Sequence, residues 1–203
     1  MSKSNLPKRF QVRIAEPADA GEITMLINSA FRIAEGFFVK ADRIEMEEVI
    51  DSLNTGKFLL AEEEGTLVGC VYVEPRRERA YLGLLSVDPS RQRSGVGSLL
   101  MSAAENYCHG RACRFMDIKI VNLRKELPSF YQKRGYVETG TSSFPANVET
   151  KKPCHFIDMT KPLGSTFLSL DAALAQAEQV IDSRGSDTRG GSPTVKEGSS
   201  TGE

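Results

Sequence analysis

At 203 residues with 40% apolar side chains, the chain suits one ordinary domain with extensions and can bury a core. Its 26 Lys and Arg against 27 Asp and Glu leave a net charge of -1, which argues against nucleic acid or an anionic membrane as the main partner. No run is long and apolar enough for a membrane span, and Cys70, Cys108, Cys113 and Cys154 form no CxxC or Cys/His cluster, so no metal is expected.

Residues 1–9 are polar and basic without an apolar stretch. They predict an N-terminal extension with no signal peptide and, with the scattered cysteines, a cytoplasmic protein. Phe10, Val12 and Ile14 alternate with polar residues as a half-buried strand does. Glu16-Pro17 stops it. Ile23, Leu26, Ile27, Ala30 and Phe31 then share a helical face. After Gly36-Phe37-Phe38, Asp42 with Glu45 has the spacing of a capping box for a second helix, which Asn54-Thr55-Gly56 ends. Phe58–Glu62 and Thr66–Glu74 predict a hairpin turning at Glu63-Glu64-Gly65, followed by a charged loop over 75–79.

Tyr81–Val87 predicts a fourth strand, ended by Asp88-Pro89. A polar, basic loop follows, then Gly95 and Gly97 around Val96. From there Val96, Leu99, Leu100, Ala103, Ala104 and Tyr107 recur at helical spacing. Strand, basic loop, glycine pair and helix start make an anion site, since the first amides of a helix lack intrahelical partners and sit at the positive end of its dipole. Arg114–Val121 is a fifth strand, Leu127–Arg134 a short helix capped by Gly135, Tyr136–Thr141 a sixth strand, Ser142–Pro153 a polar loop and Cys154–Thr160 a seventh strand. Residues 164–184 have the spacing of an amphipathic helix, and 185–203 the composition of a disordered tail.

Three loops of this kind bind nucleotides. A Walker loop ends Gly-Lys-Ser/Thr, whereas this one ends Gly97-Ser98-Leu99. A dinucleotide fingerprint needs a third glycine where Leu100 stands, directly off the strand. The third pattern, Gln-x-x-Gly-x-Gly, is met by Gln92, Gly95 and Gly97. Behind Val87-Asp88-Pro89 it resembles the acyl-CoA pyrophosphate loop of the GCN5-related N-acetyltransferases, the GNAT superfamily. Phe130-Tyr131-Gln132-Lys133-Arg134-Gly135-Tyr136 resembles that family's FYxxxGF/Y segment.

The resemblance covers residues 10–163 and implies an α/β (α+β) fold, a mixed, mostly antiparallel seven-stranded sheet flanked by helices, with strands four and five parallel and splayed. It implies an acetyl-CoA-dependent N-acetyltransferase without metal, and an amine acceptor on a small molecule or on a protein or peptide. Family members are often dimers, which admits a homodimer here. The diphosphate is expected on Gln92, Arg93, Ser94, Gly95, Val96, Gly97 and Ser98, and the pantetheine arm along Leu85, Ser86 and Val87. Tyr131 is expected to protonate the leaving thiolate, a task for which a phenol with pKa near ~10 is suited. Asn122 stands nine residues before Tyr131 rather than the seven common in the family, so Arg124 is a candidate in its place at that end of the site. The fourth strand offers no glutamate as base; Glu74 and His155 are the candidates. Phe37 and Phe38 are candidates for an apolar wall of the acceptor pocket. The alternative from another class is a module that binds acyl-CoA without turnover.

Overall fold

The computed structural model of the chain describes residues 10–164. The residues 1–9, and the helix and tail expected beyond Gly164, lie outside the described residues. The strands are β1 (Gln11–Ile14), β2 (Lys57–Glu63), β3 (Thr66–Arg76), β4 (Arg79–Val87), β5 (Phe115–Val121), β6 (Val137–Ser143) and β7 (His155–Pro162). The α-helices are α1 (Ala20–Glu35), α2 (Met46–Thr55), α3 (Val96–His109) and α4 (Leu127–Gln132). The strands form one sheet in the order β1-β2-β3-β4-β5-β7-β6. Every neighbouring pair is antiparallel except β4 and β5.

Two local expectations are corrected. Asp42 and Glu45 do not form the capping box of α2, because the helix starts later, at Met46; the box is Glu45 with Glu48, whose carboxylate accepts the Glu45 N–H at 2.9 Å. Asp42 instead accepts from Arg32 at 2.7 Å. The expected loop over 75–79 is mostly strand: Pro75 pairs Ala80 and Arg76 pairs Arg79, leaving a tight turn at Arg77-Glu78. Proline is accepted there because β2 stops at the level of Val73, so its missing N–H faces no strand on that side.

The helices cover both faces of the sheet. Ile23, Leu26 and Ile27 of α1 and Val49 of α2 pack with Phe58, Leu60, Cys70 and Tyr72. On the other face, Val96, Leu99, Leu100, Ala103 and Ala104 of α3 and Tyr131 of α4 pack with Leu59, Val71, Val73 and Leu82. Gly69 in β3 lets α3 lie close: a Cβ there would come within 2.7 Å of Val96 and 2.9 Å of Leu100. A smaller cluster of Phe38, Val39 and Val121 fastens the α1–α2 loop to the C-terminal end of β5.

Candidate active site

The parallel pairing of β4 and β5 runs from Arg79 with Phe115 to Leu82 with Ile118 and then stops. Gly83–Val87 and Lys119–Val121 therefore diverge as the arms of a fork. On its other edge β4 pairs Gly83 with Tyr72 and Ser86 with Cys70, so Leu84 and Leu85 together oppose Val71. This is a β-bulge, and Leu84 takes φ 51 to make it. A leucine in the left-handed region is strained by about 1–3 kcal/mol. The Ser86 hydroxyl, donating to the Leu84 carbonyl at 3.1 Å, helps hold the kink. The bulge frees main-chain groups of β4 from the β3 ladder just where β5 has already left it.

Beyond Val87 the chain turns through Pro89–Arg91, with the Asp88 carboxylate accepting the Ser90 N–H at 2.7 Å. Arg93 (φ 65) and Gly95 (φ 96) are both left-handed, and Gly95 is the N-cap of α3 without a side chain to offer. The first bond into the helix runs from the Leu99 N–H to the Gly95 carbonyl at 3.0 Å. The N–H groups of Val96, Gly97 and Ser98 thus have no intrahelical acceptor. The space above them is open, since a Cβ on Gly97 would meet nothing nearer than Val87, at 3.7 Å. These are the features a diphosphate requires: unsatisfied amides, a positive helix end and room for close approach. Arg91, a basic residue of this loop, is turned onto Glu63 at 2.5 Å. Another basic residue, not singled out from the sequence, stands beside the helix start. Arg134 reaches from the end of α4 to the first turn of α3, where it donates to the Ser98 hydroxyl at 2.6 Å while lying 3.6 Å over the Phe130 ring.

Tyr131 is buried, its ring set edge-on to Phe130 and Tyr136 at centroid distances of 5.0 and 5.6 Å. Its hydroxyl has no hydrogen-bond partner among the described residues. Burial pushes its pKa up to about 12, against the pull of the Arg134 and Arg124 guanidiniums. The phenol is therefore a retained proton at neutral pH. Arg124 comes from the turn after β5 and binds the Glu126 carboxylate. Its far nitrogen lies 3.9 Å from the carboxylate of Glu35, the last residue of α1. Glu35 is a buried acid that the sequence did not single out. Its burial raises its pKa even against Arg43 and Arg124.

The other sequence candidates fall at different distances from the fork. Glu74 lies opposite Tyr81, on its closed side, held bidentately by Arg76 at 2.7 Å. That grip lowers its pKa and makes it a weaker base. His155 is exposed at the start of β7, with β5 between it and the gap. The Asn122 side chain accepts the His155 N–H at 3.0 Å, an architectural use of the residue. Phe37 is half exposed, with the Lys152 ammonium 5.4 Å from its ring centre, whereas Phe38 is fully buried. Among the described residues no cluster of three His, Cys, Asp or Glu could hold a metal ion, and no helix is long and apolar enough to cross a membrane.

The acetyltransferase (GNAT) family matches residues 27–136. Several solved structures share the fold. An acetyltransferase of the GNAT family from Streptococcus pneumoniae is 23% identical, with a TM-score of 0.62 over 76% of this chain and 99% of that one. A ribosomal-protein-alanine N-acetyltransferase from Brucella melitensis is 19% identical, with a TM-score of 0.63 over 75% and 99%. YncA from Salmonella typhimurium, solved with its cofactor acetyl-CoA, is 17% identical, with a TM-score of 0.61 over 79% and 97%. No curated protein gives a significant match.

Proposed function

The chain belongs to the acetyltransferase (GNAT) family, and from that premise we propose that it N-acetylates an amine acceptor at the fork between β4 and β5. When bound, acetyl-CoA supplies the acetyl thioester that the amine attacks directly. The observation that carries this reading is the juxtaposition of an uncapped, glycine-lined helix start with the diverging strands. The amides of Val96, Gly97 and Ser98 hold the diphosphate, and Arg134 adds positive charge beside them. The freed main chain of Leu85–Val87 carries the pantetheine arm. A backbone N–H of the bulge polarises the thioester carbonyl, a contribution worth about 10²–10³ in rate for a single oxyanion donor. Holding both reactants in line supplies much of the remainder.

Tyr131 then donates its proton to the departing sulfur. A phenol raised to about 12 stays protonated under any physiological condition, so it is always ready to donate. That ready hydroxyl, with no acceptor among the described residues to occupy it, favours an enzyme over a module that only senses acyl-CoA. Phe37 and Arg124 border the acceptor side of the fork. The acceptor is an amine of a small molecule or of a peptide N-terminus, and the reaction proceeds in the cytoplasm.

Calorimetric titration with acetyl-CoA, followed by free-thiol release in the presence of alkylamines, amino acids and peptides with free N-termini, tests the reading. Binding with amine-dependent release supports it. Binding with no release from any acceptor favours the sensor. No binding overturns the assignment of the loop.

A further inference from the structure

We propose that Glu35 is the general base of this site: its carboxylate receives the acceptor's ammonium at the mouth of the fork and takes one proton from it. This rests on the acetyltransferase reading and adds the group that the reading leaves unnamed.

The placement of Glu35 is hard to explain as architecture. A carboxylate in the last turn of a helix faces the negative end of the dipole. Glu35 occupies the last position of α1, and its side chain is only 11% exposed. Burying a charge there is costly unless hydrogen bonds repay it. Among the described residues none does: its one ion pair, to Arg124 at 3.9 Å, is too long for a hydrogen bond. Arg124 meanwhile gives its Nε to Glu126. A structural ion pair would close to bidentate contact, as Arg13 does on Asp19 at 2.7 and 2.8 Å. The Glu35 carboxylate has acceptor capacity left over, as a receptor for an ammonium needs.

Its surroundings connect it to the fork. Arg43 acts electrostatically on both Glu35 and Tyr81, and Arg124 on both Glu35 and Tyr131. Tyr81 in turn acts on Tyr131. Arg124 follows directly on β5, and the loop after Glu35 is fastened to Val121, so Glu35 lies beside the β5 arm of the fork. Glu35 approaches from the face covered by α1, and Tyr131 from the face covered by α3 and α4. An acceptor entering on one face and a thiol leaving on the other need this division. Glu35 also borders a cavity of about 200 Å³ between α1 and the α1–α2 loop, lined with Asn28, Phe31, Val39, Arg43 and Lys151.

The proton count closes. The ammonium gives one proton to Glu35, and the neutral nitrogen attacks the thioester carbon. The C–N bond forms and the C–S bond breaks with its electron pair on sulfur. Sulfur takes the Tyr131 proton, and the second nitrogen proton restores the phenol. Glu35 releases its proton to water. The groups that act electrostatically with Glu35 are the Arg43 and Arg124 guanidiniums and the neutral Cys154 thiol, with Lys151 held on the Gly36 carbonyl at 2.7 Å. Arg32 and Lys40, which border the same cavity, are paired with Asp42 and Glu149.

The test compares wild type, Glu35→Gln and Glu35→Asp. Acetyl-CoA affinity, read by calorimetry, is expected to be unchanged in all three, which also reports folding. With an alkylamine acceptor (pKa near ~10), Glu35→Gln is expected to lose about 10²–10⁴-fold in kcat/KM at pH 7. The loss should shrink about tenfold per pH unit as the pH approaches the acceptor's pKa, and Glu35→Asp should keep the wild-type profile. Independently, ¹³C-glutamate NMR, with the Glu35 signal assigned from its absence in Glu35→Gln, should show a carboxyl titrating above the ordinary range. A loss uniform at every pH, or an ordinary titration, overturns the role of Glu35 while leaving the transferase intact. Wild-type binding of acetyl-CoA without release from any amine overturns both.

Discussion

Replacing Tyr131 by Phe removes a single oxygen, and the structure separates what that costs in stability from what it costs in rate. The ring keeps its edge-on contacts with Phe130 and Tyr136. The hydroxyl gives up no hydrogen bond to another described residue. The fold should therefore change by no more than about 0.5 kcal/mol, a degree or two in melting temperature. Loss of a general acid should cost about 10²–10⁴ in kcat, or about 2.7–5.5 kcal/mol of barrier. Tyr136→Phe is the contrasting substitution. Its hydroxyl donates to Glu105 at 3.1 Å, so its removal should destabilise by about 1–3 kcal/mol and leave turnover per folded molecule unchanged. Thiol release at saturating acetyl-CoA, melting curves and calorimetry on both variants give the three readouts. Turnover of Tyr131→Phe within threefold of wild type would refute the reasoning and reduce Tyr131 to packing. A fall in acetyl-CoA affinity equal to the fall in rate would make it a binding residue instead.

Gly97→Trp should abolish calorimetric binding of acetyl-CoA with the melting temperature held, because a side chain there projects over the free amides and its first atom meets only Val87; normal affinity would sink the loop assignment. Stability should fall as pH rises through 9–12. Burial holds the Cys70 and Cys108 thiols, ordinarily at 9.0, at about 12, and the Tyr131 phenol likewise, so the unfolded chain loses these protons first. Urea midpoints measured across that range check the sign, and a flat profile would contradict it. A chain ending at Gly164 should keep acetyl-CoA binding and turnover, since the loop, the fork and Tyr131 all lie within 10–164; loss of activity in a folded truncation would move the domain boundary.

Much of the fold was readable because periodicity and punctuation agree along the chain. Asp88-Pro89 and Gly95 bracket the turn between β4 and α3, and Gly135, at φ 87, closes the turn after α4. The misreadings arose where two registers satisfied one rule. Asp42 to Glu45 and Glu45 to Glu48 have the same three-residue spacing, and only the position of the first helical residue chooses between them. Pro75 read as a breaker because the end of β2, which makes a proline tolerable there, is set by pairing and not by the local sequence. The bulge at Leu84 was silent for the same reason: a leucine at φ 51 carries no mark, and its extra residue shows only against Val71 on the neighbouring strand.

The sequence offers a full run of candidate residues for the cofactor side and, on the acceptor side, only Phe37, Phe38 and Arg124, and chemistry explains the asymmetry. An anion loop is built from main-chain amides and the glycines that expose them, so its candidate residues stand consecutively, Gln92 to Ser98, and only Arg134 arrives from elsewhere. Handling the acceptor's proton uses side chains, which can arrive from anywhere in the chain. Glu35 and Arg124 are 89 residues apart in sequence and 3.9 Å apart in the fold. Within α1, Glu35 reads as an ordinary charged residue at a helix end before a glycine. The loop that follows it is fastened by Phe38 and Val39 to Val121, a contact between residues far apart in the chain. Substrate selectivity in this architecture is accordingly expected to follow the α1–α2 loop, while the cofactor loop can stay constant. Transplanting 35–43 from this chain into a relative of known acceptor should move acceptor preference and leave acetyl-CoA affinity where it was. Acceptor preference that instead stays with the host would place selectivity on α4 and the β6–β7 loop.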